Sequence, residues 1–505
     1  MEPLNADLFS RYEALTFDDV VVVPGYSEAL PDAVDTTAVF ARDIELTIPL
    51  VSAAMDRVTE ARMAIAMARH GGIGVIHRNM SAADQAAEVQ KVKRSQSGMI
   101  TDPVTLPPTA SLHEAEELMR RFRFSGVPIV DGASTLLGIL TNRDIRFCEG
   151  SDFERPVTEF MTSDGLVTAE VGTSLDTAKD ILQQHRIEKL PLVDADGRLA
   201  GLITVKDIQK RLQYPDASRD QHGRLRCAAA IGVGADVEDR VEALVAVGVD
   251  AVSIDTAHGH SAGVIKTLER IKGNWPELAV CAGNVVTAEG VEALAAAGAD
   301  AVKVGVGAGS ICTTRVISGA GMPQLSAIHG ASQRARSIGV PLIADGGITY
   351  SGDIVKAIAA GATTVMLGSL LAGTEESPGE TELFEGRRFK SYRGMGSMGA
   401  MQGEGADRYA SAQRTDGSRT EVGAASRKLV PEGIEGRVPY AGPLGDTLYQ
   451  LVGGLRSGMG YAGAADLEAL RTTARFMRVT AAGRTESHPH DVIVTREAPN
   501  YQRNG

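Results

Sequence analysis

The chain has 505 residues and a net charge of −13, with 43% hydrophobic and 23% charged residues. That length exceeds one ordinary core, so two or more domains are expected, and the acidic balance argues against nucleic-acid binding, which needs a basic surface. No apolar run reaches the ~20 residues that span a bilayer. The opening MEPLNADLFS lacks the basic and apolar regions of a secretory signal, and the scattered cysteines Cys148, Cys227, Cys281 and Cys312 point to free thiols in a reducing cytoplasm.

In chain order, apolar runs at 48–53 (IPLVSA) and 72–77 (GIGVIH) predict two strands. A repeat follows. VTLPPTASLHEAEELMRRFRFSGVPIVD from Val104 returns as VTAEVGTSLDTAKDILQQHRIEKLPLVD from Val167, an offset of 63 residues (167 − 104). Ser111 maps to Ser174, Pro128 to Pro191, Gly138 to Gly201, Thr141 to Thr204 and Asp144 to Asp207. Each copy reads as strand, helix, strand, strand, helix. LLGILTNRDI and LAGLITVKDI are both expected to run from a strand into a helix with an Asp in its first turn. One copy alone would leave an apolar face bare, so two are expected to pack as a pair. The pair resembles a tandem CBS module over 95–213, in halves 95–155 and 156–213. That resemblance implies an ATP- or GTP-type nucleotide, with Asp144 and Asp207 placed to hold a ribose. Acids are also favoured at helix starts by the dipole, and the sequence leaves both readings open.

Six further strands are predicted at 227–232, 250–255, 278–283, 300–305, 340–345 and 363–368, with helical stretches such as VEDRVEALVAVG and TAEGVEALAAAG between them. Eight strands alternating with helices argue a (β/α)8 TIM barrel. The repeat is then an insertion between the second and third strands, which splits the catalytic barrel into 1–94 and 214–505. Such barrels carry their chemistry at the C-terminal strand ends. The residues there are Ser52, His77, Asp255, Asn284, Gly305, Asp345, Gly368 and Ser369. Glycines in ADGGI and MLGS, after strands seven and eight, and in SYRGMGS let backbone N–H groups approach a phosphate. Cys312 ends the glycine-rich loop after strand six, beside that phosphate site, which makes it a candidate nucleophile rather than a small buried hydrophobe. The Gly-, Ser- and Arg-rich stretch 398–440 has little periodicity and is expected to be a mobile loop. His258, His260, His488 and His490 have no cysteine or carboxylate cluster at metal spacing and read as loop histidines.

GVGAGSICTTR, ADGGI, SYRGMGSMGAM, DRY and KLVPEGIEGRVPY together resemble the inosine-5′-monophosphate (IMP) dehydrogenase family. TFDDVVVVPGYSEALP, PLVSAAMD, GGIGVIHRNM, SIDTAHGHS and ESHPHD agree, so the resemblance covers nearly the whole chain. It implies oxidation of IMP to XMP with NAD+ and water, on the pathway to guanine nucleotides. By that resemblance Cys312 is the nucleophile and Arg408 activates water, with Thr314 and Tyr409 beside it. IMP would be held by Ser310, Asp345, Gly346, Gly347, Gly368, Ser369, Tyr392, Arg393, Gly394, Met395, Gly396 and Glu432. Asp345 can accept from two ribose hydroxyls. The dinucleotide would meet Asp255, Gly305, Val306 and Gly307, although an Asp at Asp255 also suits a strand-to-helix turn. Potassium would be bound by carbonyls of Gly307, Gly309 and Cys312, completed by Glu486, Ser487 and His488 of a neighbouring subunit. This implies a homotetramer or an octamer.

The nearest rival is GMP reductase, which shares barrel and nucleophile but needs no hydrolytic flap. DRY and KLVPEGIEGRVPY favour the dehydrogenase. A second rival is a catalytically silent nucleotide sensor on the same barrel, against which the intact Cys312, Thr314 and Arg408 argue.

Overall fold

The computed structural model describes residues 13–95, 103–122, 124–402 and 430–501. Contacts divide the chain into two compact units, one of residues 1–95, 216–218 and 225–505, the other of 96–215 and 219–224.

In the first unit eight parallel strands close into a barrel. In chain order they are Leu50–Ser52, Ile73–Ile76, Ala228–Ile231, Ala251–Asp255, Ala279–Val285, Ala301–Val304, Leu342–Asp345 and Thr364–Leu367. The eighth pairs back to the first through Val365 and Leu50. All eight apolar runs predicted above are these strands, so the (β/α)8 expectation holds. Alternation along each strand sorts the side chains. Ile73, Val75, Ala228, Ala230, Ala251, Ala279, Cys281, Ala301 and Ile343 form one cluster. The intervening Ala229, Val252, Val280, Val302 and Val365 join a second cluster with helix residues such as Val241, Leu244 and Ile354. The first cluster fills the barrel interior. It also takes in Phe40, Ala41, Ile44 and Leu46 of a short hairpin, Ala38–Ala41 with Ile44–Leu46.

The same alternation carries the interior upward into polar residues. Ala251 is followed two and four positions on by Ser253 and Asp255, Ala301 two positions on by Lys303, and Ile343 two positions on by Asp345. The barrel is therefore apolar at the strand starts and charged at the strand ends, where such folds place chemistry.

The inserted unit has two small cores, one around Leu112, Met119, Ile129 and Leu140, the other around Leu182, Leu190, Leu192 and Ile203. Helix Leu112–Phe122 and strands Gly126–Val130 and Leu136–Thr141 recur 63 positions later as Leu175–His185, Lys189–Val193 and Leu199–Thr204. The closing helices differ. Val205–Gln213 is helical, capped by the Thr204 hydroxyl on the Asp207 N–H. The equivalent residues 142–147 are turns, which corrects the helix expected there. Asn142 and Cys148 are weak helix formers, and Gly150, where the second copy has Gln213, adopts φ +53°.

The 398–440 stretch also needs correction at its ends. Met398–Met401 is helical, and Glu435–Pro439 is a strand paired with Arg387–Arg393, which in turn pairs with Thr381–Phe384. Among the described residues no helix is long and apolar enough to cross a membrane.

Candidate active site

The loop after the sixth strand is fixed by backbone geometry that glycine permits. Gly305 has φ +144°, and a Cβ there would lie 2.1 Å from the Asp345 carbonyl oxygen. Gly307 has φ +73°, and its Cβ would meet Arg315 Cγ at 2.4 Å. Any other residue would push the loop off the strand ends. Arg315 clamps it, donating from Nε to the Val306 carbonyl at 3.2 Å and from its guanidinium to the Met322 carbonyl.

Cys312 stands at the end of this loop. Its N–H donates to Gly309 O at 3.1 Å, and its Sγ lies 3.1 Å from Thr314 Oγ1. Residues 430–434 hold it from the other side. Cys312 bridges Gly433, Thr313 N donates to Glu432 O at 2.9 Å, and Ile434 N donates to Ile311 O at 3.1 Å. Glu432 N donates to Gly396 O, and Gly394 N to Ile434 O. Ile311–Thr314, Gly394–Gly396 and Glu432–Ile434 are thus one backbone-bonded cluster.

Side chains converge on the same place. Tyr392 is buried, with its hydroxyl 3.7 Å from Met55 Sδ. Burial pushes that phenol up; nearby Ser310 opposes this, and the charges of Asp345 and Cys312 add to it. A Cβ on Gly368 would meet the Tyr392 oxygen at 3.1 Å, and one on Gly346 would meet Gly309 N at 3.1 Å. Ser310, Cys312, Thr314, Asp345, Gly346, Gly368, Tyr392, Gly394, Gly396 and Glu432 therefore share one mouth, with Gly347, Ser369 and Met395 adjacent in the chain. Arg393 already has a partner, since its guanidinium pairs with Asp56. Burial opposes ionisation of Asp56, but bonds from Arg393 and Asn79 outweigh it and hold the carboxyl below the usual carboxylate range.

Asp255 and Asp345 flank Lys303. The Lys303 ammonium donates to Asp255 Oδ1 at 3.0 Å, to Asp345 Oδ2 at 2.7 Å and to Asn284 Oδ1. Asn284 Nδ2 donates to Asp345 Oδ2 at 3.0 Å and to Gly305 O at 2.6 Å. The Asp345 side chain is 20% exposed and that of Asp255 only 3%, so Asp255 offers a ligand a narrow edge.

Glu486, Ser487 and His488 lie elsewhere. They end the short helix Ala481–Glu486 and the turn after it, and His488 Nδ1 is 3.1 Å from the Tyr501 hydroxyl. Among the described residues no hydrogen bond or ion pair joins them to the Gly307–Cys312 loop of the same chain. Arg408 and Tyr409 fall outside the described residues. In the inserted unit Asp144 and Asp207 each bond the threonine that starts their turn, Thr141 and Thr204.

Comparison with known proteins decides the family. Residues 14–490 match the IMP dehydrogenase / GMP reductase domain. The chain belongs to the IMP dehydrogenase / GMP reductase family. It is 58% identical over 490 residues to the inosine-5′-monophosphate dehydrogenase of Aquifex aeolicus, across 97% of this chain and 98% of that one. It is 56% identical over 495 residues to the Bacillus subtilis enzyme of the same name, across 98% of each. Its fold is similar to a cysteine-to-alanine variant of GMP reductase from Trypanosoma brucei in complex with guanosine 5′-monophosphate. That match has a TM-score of 0.86 and 40% identity, and covers 97% of this chain and 100% of that one.

Within this family barrel, sequence reading missed Lys303, Arg315 and the Asp56–Arg393 pair. For Lys303 the signal was a lysine inside the apolar run DAVKVG, at an inward position. The other cysteines are poorer nucleophiles. Cys281 is buried, and burial, aided by Asp300, pushes its thiol up. Cys227 is buried, and burial likewise raises the thiol of Cys148 in the inserted unit.

Proposed function

We propose that this chain is an NAD+-dependent IMP dehydrogenase acting through Cys312. The observation that carries the reading is the position of Cys312: a thiol at the C-terminal mouth of the barrel, 3.1 Å from Thr314 Oγ1, inside the backbone cluster of Gly394–Gly396 and Glu432. Identity of 56–58% to enzymes named IMP dehydrogenase, against 40% to the GMP reductase, favours this branch of the family.

The Cys312 thiolate adds to C2 of the purine, forming a C–S bond and a tetrahedral carbon that can release hydride. NAD+, which Asp255 and the Gly305–Gly307 backbone would hold, would supply the acceptor for that hydride. The C2=N double bond re-forms, leaving a thioimidate on Cys312. Water then adds to C2, the C–S bond breaks with return of a proton to sulfur, and XMP is free. Arg408 would take the proton from water, with Thr314 and Tyr409 beside it. Asp345, exposed enough to accept from ribose hydroxyls, would orient IMP with Ser310 and Tyr392. The glycines at 346–347, 368 and 394–396, with Ser369, would approach the phosphate. Asp255 and the Gly305–Gly307 backbone would meet the dinucleotide.

The donor chemistry of the loop also suits potassium. Gly307, Gly309 and Cys312 offer carbonyl oxygens, which hard cations prefer. A carbonyl has two lone pairs, so the bond from Cys312 N leaves Gly309 O one to give. Glu486–His488 would complete the set from a neighbouring subunit, in a tetramer or octamer. The inserted repeats, taken as a CBS pair over 95–213, would bind an ATP- or GTP-type nucleotide and regulate in the cytoplasm.

The test is spectrophotometric. Purified chain with IMP and NAD+ in potassium buffer should form NADH. Consumption of NADPH with GMP, and no NADH from IMP, would assign the chain to GMP reductase instead. Activity in neither assay would leave the sensor reading standing.

A further inference from the structure

Lys303 is a charged side chain enclosed in the barrel, with 1% of its surface exposed. An isolated buried ammonium is costly, and it persists where charge and hydrogen bonds compensate it. Here compensation is complete. The ammonium has three donors, and three acceptors receive them: Asp255, Asp345 and Asn284. With no donor left over, Lys303 cannot itself grip a ligand. Its influence must run through the groups it holds.

Those groups belong to two different ligands on the reading given above, on which this inference rests. Asp345 would face the substrate ribose and Asp255 the dinucleotide ribose. Both approach one nitrogen, so their oxygens lie within roughly 6 Å of each other in a site of low dielectric. Two carboxylates at that spacing repel unless a cation stands between them. We propose that Lys303 is a positioning residue that ties the substrate-ribose carboxylate Asp345 to the dinucleotide-ribose carboxylate Asp255, so that each binding site depends on the other's geometry. Asn284 extends the tie: one amide bonds Lys303, Asp345 and the Gly305 carbonyl, and so joins the acids to the loop that carries Cys312.

The experiment measures KM for IMP and for NAD+ in steady state. Lys303→Met keeps the bulk and removes the charge. It should raise both KM values roughly tenfold or more, the scale of ordinary site-to-site coupling, while kcat falls by a smaller factor. Lys303→Arg should recover most of both, since it restores the cation. Adding Asp255→Asn to Lys303→Met removes the repulsion at Asp345, so KM for IMP should move back towards wild type while KM for NAD+ stays high. A rise in only one KM would mean that Lys303 serves one ligand and not both, and would overturn the proposal, as would unchanged values for both. If Lys303→Met does not fold, Asp255→Asn alone decides. It should shift KM for IMP by about threefold or more although Asp255 faces the other ligand, and an unmoved value would sink the coupling. Wild-type enzyme forming no NADH would instead overturn the functional reading beneath it, whereas active wild type with indifferent variants would overturn only the role of Lys303.

Discussion

Asp207 is the one charged side chain buried among the described residues of the inserted unit, whereas the barrel unit encloses Asp56, Arg78, Lys93, Arg240, Asp255, Lys303, Asp353 and Lys390. Both units have apolar cores. Burying charge costs several kcal/mol unless it is paired, so where a chain does it repeatedly each instance calls for an account. Some in the barrel are structural. Lys93 bonds Asp250 at 2.6 Å, and Lys390 is held by the carbonyls of Thr374 and Ser377. The charges at the strand ends are different, because Asp345 is paired and yet still partly open. Paired and open together mark a site. Asp207 is paired and closed, bonded to its own turn; burial raises its carboxyl while Thr204 pulls it down.

The contrast predicts large effects from barrel-mouth substitutions and small ones from the insert. The largest belongs to Cys312→Ala, which should bind IMP, measured by calorimetry, yet lose NADH formation by about 10⁴-fold or more, because the covalent step has no substitute. Arg408→Ala should come next. It leaves thiolate attack and hydride transfer intact, so stopped flow should record a burst of NADH near one per site, followed by a steady rate lower by roughly 10²–10⁴-fold. Loss of the burst as well would assign Arg408 to binding or folding.

Arg393→Met probes charge buried for positioning. The Asp56 carboxyl is held low in the folded chain, so its pairing stabilises the fold fully above about pH 4, its unfolded value. That contribution is lost as pH falls further, through the folded value. The variant should therefore lose about 1–3 kcal/mol near neutrality. Its deficit should shrink in acid, where wild-type Asp56 is protonated too; denaturant melts across pH would read this. The smallest effect should come from deleting residues 96–215 behind a short linker. Turnover should change by less than about threefold, because the barrel is interrupted only at a loop, while any response to ATP or GTP disappears. A folded but inactive deletion would break the contrast between the units.

Much of this was legible in the sequence because barrel strands buried on both faces read as continuous apolar runs. The offset of 63 likewise predicted the paired strands of both repeats. What escaped notice depended on partners distant in sequence. Lys303 is one polar letter in an apolar strand until folding brings Asp255, Asn284 and Asp345 around it. Glu435–Pro439 has little strand character alone and becomes a strand by pairing with Arg387–Arg393. The absent helix at 142–147 is the opposite error. The repeat promised symmetry, but Asn142 and Gly150, which replace Val205 and Gln213 of the second copy, broke it locally.

The central claim is that a covalent bond forms at Cys312 during turnover. The direct measurement is intact mass with peptide mapping on enzyme quenched while IMP and NAD+ are both present. A nucleotide adduct on the Cys312 peptide, absent when either ligand is omitted, is the predicted result. NADH formation with no adduct, or an adduct on Cys148, Cys227 or Cys281 instead, would contradict it.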